Sequence, residues 1–446
     1  MSGPEIMGLV MLAAMVSVIF IGFPISFTLL FLALAFGVVG MGTTVTFDLA
    51  SLQIWGLMKE EVLPAVPLFI FMGFMTEQAG LMERLFRAFR GLLEEIPGAL
   101  YLAVILTATV FAMATGIVGA AVTVLGIMAG PIMIKAGYDA RMSSGAIAAG
   151  GTLGILVPPS VMLVVMGPVM GVPVNQLYAA AFGPGFALAA MYIVYTMIRS
   201  FINPKLGPAV PVDERVGDWG IKLREVVFGM VPLVCLIGFT LGTILGGLAT
   251  PTEAAAAGAF GATLLAVAYR KLTWAAIKNA AVSTMATSSM VLFLAAASNV
   301  FGAVFTKFGT ATLITNTLLG LPFPPMVVLI IVMVMIFILG WPFEWPAIIL
   351  VFLPIFLPVI AKLDLGIGNK ADTMIWFGAL VAVNLQTAFL SPPVAMSAYY
   401  LKNVVPQWSL STIYRGMADF MVIQCICLAL VLFIPDLAMW LPRALK

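Results

Sequence analysis

The sequence predicts an all-α protein that crosses a membrane several times, built from two inverted repeats. Hydrophobic residues make up 63% of the 446 residues and charged residues only 9%, whereas a soluble domain has about 25% charged residues. Apolar runs long enough for spanning helices follow one another along the chain, while a membrane β-barrel needs short segments of alternating polarity. Two of these runs contain Pro-Pro pairs, so the predicted helices include interrupted ones.

The first half of the chain is predicted to cross the membrane five times. Its spanning runs are 5–22, 24–42, 62–80, 142–170 and 177–200. The segment 98–135 has a weak middle, "MATGIVG", and flanks of about 15 residues, or about 22 Å of helix. Because the hydrocarbon core is about 30 Å thick, this segment predicts a re-entrant hairpin that enters and leaves on one side. Five crossings are an odd number, so the second half is expected to be inverted.

Motifs at a nearly constant separation predict an internal repeat. The matched pairs are Pro24 with Pro251, Thr76 with Thr306, Pro131 with Pro358, and Pro158 with Pro392, separated by 227, 230, 227 and 234 residues. We therefore divide the chain into a first repeat at 1–200, a linker at 201–227 and a second repeat at 228–446. The polar window 203–224 is interpreted as a loop, and its Lys and Arg residues favour the cytoplasmic side.

Each repeat is predicted to contain one hairpin and one broken helix. The second hairpin is expected at 325–361, around "LGWPFEWPA". The broken helices are expected at 142–170 and 374–402, each interrupted by its Pro-Pro pair. Inverted repeats with interrupted helices at matching positions are typical of secondary transporters.

The interruptions have a chemical interpretation. Proline removes a backbone hydrogen bond, and an unpaired carbonyl facing lipid costs several kcal/mol. Facing an internal chamber, such carbonyls can bind a cation, and the N-termini of half-helices favour an anion. We therefore expect two Na⁺ sites, each made from a hairpin tip and a broken helix, on either side of one solute site near the midplane. The candidate Na⁺ ligands are Thr115, Gly116, Gly154, Val157, Pro158, Gly340, Thr387, Ser391 and Pro392. The candidate solute contacts are Ser160, Asn384 and Glu344.

Several of these polar residues have a second interpretation. Asn384 can bind a ligand or tie two helices together by a hydrogen bond. Glu344 can be a site residue or a water-facing gate acid. Glu253, two residues after Pro251, fits a helix N-terminal cap better than a proton carrier. The charged segment 83–95 has helical spacing and fits an amphipathic arm at the membrane interface, with a lipid-binding patch as the alternative.

Composition also excludes other classes of function. Histidine is absent and there are three cysteines without a metal-binding spacing, which excludes His-ligated haem, copper and zinc sites. We find no nucleophile–base pair, so we expect no enzyme activity. The net charge of +2 is too small to indicate nucleic-acid binding. The remaining rivals are a proton-coupled carrier that uses Glu253 or Glu344, and a channel.

Four motifs resemble the large membrane subunit of tripartite ATP-independent periplasmic (TRAP) transporters, the DctM-like family. They are "TPTEAAAAGAF", "GTLGILVPPSVMLVVMG", "GPIMIKAGYDARMS" and "NLQTAFLSPPV". The resemblance implies an elevator fold and Na⁺-driven uptake of an organic acid across a bacterial inner membrane. It also implies two partners, a periplasmic solute-binding protein and a small four-helix membrane subunit.

The chain departs from that family's usual motifs at four positions. They are Ile117, where the first hairpin tip often has Ser, Ala388 and Ala395, where Gly is usual, and Ser391, where Thr is usual. "NLQTAFLSPP" resembles the branch associated with 2-oxo acids and other monocarboxylates.

Overall fold

A computed structural model describes residues 2–209, 218–392 and 395–445, without the side chains of Ala112, Ala114 and Thr115. Within these ranges the chain forms helices and no strand. The first half contains α1 Gly3–Phe20, α2 Ile25–Met41, α3 Thr43–Met58, α4 Ala65–Gln78, α5 Leu81–Leu93, α6 Ala99–Thr115, α7 Val118–Lys135, α8 Ala140–Leu156, α9 Val161–Met170 and α10 Val174–Ile202.

The second half contains α11 Trp219–Gly229, α12 Val231–Leu245, α13 Pro251–Ala268, α14 Trp274–Lys307, α15 Thr310–Leu319, α16 Pro325–Leu339, α17 Trp345–Ala347, a π-helical turn Ile348–Phe352, α18 Leu353–Ile360, α19 Lys370–Ala388, α20 Met396–Val404, α21 Leu410–Phe433 and α22 Asp436–Ala444.

The prediction of an all-α, multi-pass membrane protein is confirmed. By length and composition, seven helices of the described chain can cross a membrane, or up to nine if two bent helix pairs each count as one span. One bent pair is α8 with α9, at 43°, where the first Pro-Pro interruption was predicted. The other is α4 with α5, at 61°, so the predicted amphipathic arm is a helix that turns sharply away from α4.

Three element predictions were incomplete or wrong in part. Helix α3 was not predicted, because its polar residues, including Asp48 and Gln53, weaken its apolar pattern. The predicted span 62–80 is the shorter helix Ala65–Gln78. The polar window 203–224 is not a loop throughout, since α11 begins at Trp219 with Asp218 capping the Gly220 amide.

Side-chain caps fix where several long helices begin. Thr250 and Glu253 form a reciprocal capping box at the start of α13, with Thr250 N–H donating to the Glu253 carboxylate at 2.8 Å. This confirms the capping interpretation of Glu253. Asp139, Thr273 and Asn369 cap α8, α14 and α19 in the same way, through their side-chain oxygens.

The helices pack as two groups. In one group, α14 packs on α2, α3 and α4, and α13 packs on α4 and α12. In the other, α8 packs on α6, α7 and α21, while α19 packs on α10, α16 and α21. The α6–α7 pair, here called the first hairpin, and α16 with α17, the π-helical turn and α18, here called the second hairpin, both border on the broken helices. This arrangement brings the interruptions into the middle of the molecule.

Candidate functional site

The first break, residues 157–160, separates α8 from α9. Because Pro158 has no N–H, the carbonyl of Gly154 loses the donor that would continue α8. The tip of the first hairpin lies directly against this carbonyl. A β-carbon added at Gly116, where φ is +61°, would stand 3.8 Å from Gly154 O and 3.3 Å from the Val161 amide N. The sequence-predicted ligands Gly116 and Gly154 are therefore neighbours.

The rest of the first break is closed on all sides. Val157 is extended, with φ −76° and ψ 121°, and Gly185 of α10 packs on it. The Ser160 hydroxyl donates to Ile155 O at 2.5 Å, and Tyr178 OH donates to Ser160 O at 3.3 Å. Ser160, predicted to contact the solute, therefore closes the end of α8. Its side chain does not line the central cavity described below.

The second break, residues 389–395, follows α19 directly. Its Pro392 stands four residues after Ala388. Pro392 has no N–H to offer the carbonyl of Ala388, which is the last residue of the helix. Gly340, at the break of the second hairpin, packs against that residue: a β-carbon added there would lie 3.0 Å from Ala388 Cβ. In both halves, therefore, the residue four before a proline packs against a hairpin glycine, through its carbonyl oxygen in the first half and through its β-carbon in the second.

Two hydroxyls stand beside the second break. Ser391 Oγ donates to Thr387 O at 2.7 Å, and Thr387 Oγ1 donates to Asn384 O at 2.7 Å. Both side chains are buried, and because each gives its proton to a carbonyl, each oxygen keeps its lone pairs. Pro392 itself is exposed, unlike the buried Pro158. The two breaks therefore differ in how far they are closed, and a sealed chamber at each stays a prediction.

One predicted Na⁺ ligand is described only in part, because Thr115 is described as the last residue of α6 without its side chain. Pro393 and Val394 of the second break, which were not predicted ligands, lie outside the described residues. Among the described residues, no group of three or more His, Cys, Asp or Glu is placed to hold a metal ion. The donors at the breaks are instead neutral carbonyl and hydroxyl oxygens, which suit a hard monovalent cation.

A central cavity of about 100 Å³ joins the two halves. Its walls come from the first hairpin tip (116–119), the second hairpin tip (344–346), Val161 after the first break, and Phe389 and Met396 of the second break. The remaining wall belongs to the other helix group, and comprises Ile70 of α4 and Thr287, Met290 and Val291 of α14. Both hairpins and both broken helices therefore meet at one place.

Four helix N-termini reach this cavity without a side-chain cap. They are the first turns of α7, α9, α17 and α20, whose preceding residues Ile117, Ser160, Glu344 and Ala395 make no capping hydrogen bond. The first turn of a helix leaves backbone N–H groups without intrahelical acceptors and carries a partial positive charge. These termini favour an anion at the cavity. The free N–H groups come chiefly from α7 and α9, because Pro346 of α17 has no N–H and the amides of Ala347, Ser397 and Ala398 already donate to backbone carbonyls.

Two predicted solute contacts have different surroundings. Glu344 lines the cavity together with Tyr400, whose ring packs on Gly119 of the first hairpin. Asn384 is buried away from it, and its Nδ2 donates to Met333 O of the second hairpin at 2.8 Å. The helix-tying interpretation of Asn384 is therefore realised in the structure, although its Oδ1 is buried without a partner among the described residues.

A crevice lies along the boundary between the two helix groups. Its two cavities, of about 510 and 160 Å³, share Asn299 of α14 and Leu350 of the second hairpin. Helices α3 and α14 form one wall, while α9, the π-helical turn and α18 form the other. The two groups are thus loosely packed at this boundary.

Sequence reasoning missed the contribution of α14 to the site. Thr287 lies in "STMATSSM", a polar stretch in the middle of a 34-residue helix. Such a stretch in an otherwise apolar span was the available signal. Tyr400 carried no comparable signal in the sequence, because its position at the cavity depends on the packing of α20 against α7.

Together, this fold and site define a multi-pass membrane protein with interrupted helices around a central binding cavity. Residues 11–437 match the family model described as "Tripartite ATP-independent periplasmic transporter, DctM component". The chain belongs to this family of transporter permeases.

The chain also resembles individual members of the family. It is 29% identical to the sialic acid TRAP transporter large permease protein SiaM of Vibrio cholerae, over 95% of this chain and 96% of that protein. It is 28% identical to the C4-dicarboxylate TRAP transporter large permease protein DctM of Pseudomonas aeruginosa, over 88% and 89%. The fold matches the crystal structure of the Alcanivorax borkumensis YdaH transporter, with a TM-score of 0.63, 16% identity and 99% coverage of both chains.

Proposed function

We propose that this chain is the large subunit of a Na⁺-coupled transporter that imports an organic acid by an elevator movement. The observation that carries the proposal is the single cavity at which both hairpin tips and both helix breaks meet. A carrier of this kind needs cation and anion sites that are built and dismantled together. The helix N-termini at the central cavity would favour the anion, and the carbonyls at the two breaks beside the cavity would supply oxygens for the cation.

The Na⁺ part of the proposal rests on the two unpaired carbonyls. Gly154 O and Ala388 O each lack an intrahelical donor. A hairpin glycine lies against Gly154 O in the first half and against the Ala388 side chain in the second. A bound Na⁺ would replace the missing donor and would join the hairpin to the broken helix. Thr387 and Ser391 would add hydroxyl oxygens at the second site. We propose two such sites.

The solute part rests on the four helix N-termini. Their N–H groups and partial positive charges suit a carboxylate. The cavity volume of about 100 Å³ is that of a few water molecules, which favours a small acid, such as a 2-oxo or other monocarboxylate, in this conformation. Larger acids would require the hairpins to separate.

The elevator part rests on the loosely packed boundary. We propose that α1–α4 and α12–α14 form the scaffold, and that the hairpins with α8–α10 and α19–α21 carry the solute. Sliding of the solute-carrying group past the scaffold along this crevice would move the central cavity from one face of the membrane to the other. The partners proposed from the family are a periplasmic solute-binding protein and a small four-helix membrane subunit, in the inner membrane of a bacterium.

Uptake into proteoliposomes tests the proposal. The small subunit and a solute-binding protein loaded with labelled acid are supplied, and external Na⁺ is replaced by choline at constant pH. We expect uptake to fall to the background of empty vesicles. Undiminished uptake in choline would overturn Na⁺ coupling.

Proton coupling is the second candidate, because Glu344 lines the cavity and is the acidic residue placed to carry a proton there. An inward proton gradient in choline medium distinguishes the two. Uptake driven by that gradient alone would favour the proton-coupled carrier.

A further inference from the structure

Away from the transport site, a charged pocket of about 240 Å³ lies between the arm helix α5 and helix α11. Its cationic lining consists of Arg87 and Arg90 from α5 and Lys222 from α11. Glu94 and Glu225 also reach it. Neither Na⁺ coupling nor binding of the transported acid uses these residues, since the pocket shares no residue with the central cavity.

The acidic residues do not neutralise all of these cations. Lys222 Nζ lies 2.8 Å from Glu94 Oε1, and both side chains are less than a tenth exposed. Among the described residues, no carboxylate lies within ion-pairing distance of Arg87 or Arg90. Two guanidinium groups, three residues apart on one face of α5, therefore face the pocket with their charge available.

The floor of the pocket is kept open by a glycine. Gly91 stands between the two helices, and a β-carbon added there would lie 4.0 Å from Lys222 Cγ. A larger side chain at this position would occupy the space beneath the guanidinium groups. The pocket therefore depends on the absence of a side chain at Gly91 as well as on the arginines.

The rim of the pocket is apolar on the outside. Trp219, Ile221 and Phe228 of α11 are 71%, 51% and 53% exposed. An outward row of large apolar side chains suits a helix that lies against acyl chains, and Trp is enriched at the membrane interface. If this row faces acyl chains, guanidinium groups immediately inside it would lie near the level of the lipid phosphates.

We propose that the pocket between α5 and α11 binds the headgroup of an anionic phospholipid. Arg87 and Arg90 would hold the phosphate by charge-assisted hydrogen bonds, and the acyl chains would lie along the apolar face of α11. A bound lipid would join the arm to α11 and so would brace the base of the first hairpin, because α5 packs on both α6 and α11.

Native mass spectrometry of the purified chain, titrated with phosphatidylglycerol or with phosphatidylcholine of the same acyl chains, tests the proposal. We expect the double substitution Arg87→Gln/Arg90→Gln to weaken phosphatidylglycerol binding at least tenfold and to leave phosphatidylcholine unchanged. The matched control is Arg270→Gln/Lys278→Gln, which removes two exposed cations near the turn between α13 and α14 and should change binding less than twofold.

Equal losses in the two double variants would show non-specific attraction and would overturn the proposal. Displacement of the lipid by millimolar inorganic phosphate would also overturn it, in favour of a free-phosphate site. Gly91→Val is the second variant, because it fills the pocket while both arginines remain. It should lose phosphatidylglycerol binding with an unchanged melting temperature, and full retention of binding would contradict the proposal even if the arginine variant did not fold.

Discussion

Both breaks interrupt a helix near a proline, but the first break is buried and the second is partly exposed. At the first break, Pro158 is buried, Gly185 packs on Val157, and Ser160 closes the end of α8. At the second break, Pro392 is exposed. The shared part is the residue four before the proline, which packs against a hairpin glycine in both halves.

This difference separates what the site requires from what each half can vary. A carbonyl without an intrahelical donor and a hairpin glycine occur in both halves, so we assign them to the part of the site that both halves share. Other features occur in one half only. The packing of Gly185 and Ser160 over the break is found in the first half, and the π-helical turn and the left-handed Ala395, with φ 31°, are found in the second. We expect the first break to be rigid and the second to yield more easily.

The hairpin glycines give the largest expected contrast. Gly116→Ala forces a left-handed conformation that costs an L-residue about 1–2 kcal/mol, and places a β-carbon 3.3 Å from the Val161 amide N. We expect Na⁺-driven uptake to fall at least about tenfold, equivalent to about 1.4 kcal/mol. Gly340→Ala keeps an ordinary φ of −64°, and its β-carbon would lie 3.0 Å from Ala388 Cβ and 3.1 Å from Phe337 O. Because it forces no left-handed backbone, its loss should be about threefold, or about 0.7 kcal/mol.

Gly171→Ala is the matched control for backbone strain. Its φ is +64°, close to that of Gly116, but nothing lies within 4 Å of an added β-carbon. Uptake should stay near that of the parent chain while expression and membrane insertion match those of Gly116→Ala. Equal losses at Gly116 and Gly171 would mean that strain, and not contact with the break, sets the effect.

The sequence allowed prediction of the features that depend on local chemistry. The Pro-Pro pairs required breaks, the weak middle of 98–135 required a turn between α6 and α7, and Glu253 stood at a capping distance from Thr250. The opposite membrane orientation of the two repeats, and their boundaries, stay predictions. The missed features depend on tertiary packing: α3 is stabilised against α2 and α14, and Thr287 reaches the site because α14 crosses it at mid-length.

The prolines themselves give the second contrast. Pro158→Ala offers an N–H with which α8 can extend and pair with the Gly154 carbonyl, removing a proposed Na⁺ ligand. We expect the Na⁺ concentration for half-maximal uptake to rise about tenfold, or about 1.4 kcal/mol. Pro392→Ala would offer an N–H to Ala388 O at the more open second break. We expect it to raise the half-maximal Na⁺ concentration by less than Pro158→Ala does.

Pro131→Ala is the control for these substitutions, because Pro131 lies inside α7 and away from both breaks. Its Na⁺ dependence should equal that of the parent chain. A larger shift for Pro392→Ala than for Pro158→Ala would reverse our ranking of the two breaks.

The hydroxyls contribute a smaller effect. Ser391→Ala and Thr115→Val each remove one proposed ligand oxygen, and we expect each to raise the half-maximal Na⁺ concentration about threefold, or about 0.7 kcal/mol, without loss of membrane insertion. Thr263→Val is the control, since Thr263 Oγ1 also donates to a carbonyl of its own helix, at 2.9 Å from Ala259 O, but lies on α13. Unchanged Na⁺ dependence in both site variants would show that the ligands are placed wrongly.

The smallest expected effect concerns the acid that only one half possesses. Glu344 lies four residues after Gly340, whereas the residue four after Gly116 is Ala120, so a charge at this place is not part of the common design. If Na⁺ drives transport, Glu344→Gln should retain Na⁺-dependent uptake within about threefold, or about 0.7 kcal/mol, of the parent chain. Uptake is measured at fixed Na⁺ across external pH 6 to 8, with Glu61→Gln as the control, because Glu61 is exposed and lies outside the central cavity. A loss of all driven uptake in Glu344→Gln alone, together with a proton-driven component in the parent chain, would transfer the coupling role from the repeated carbonyls to this single carboxylate.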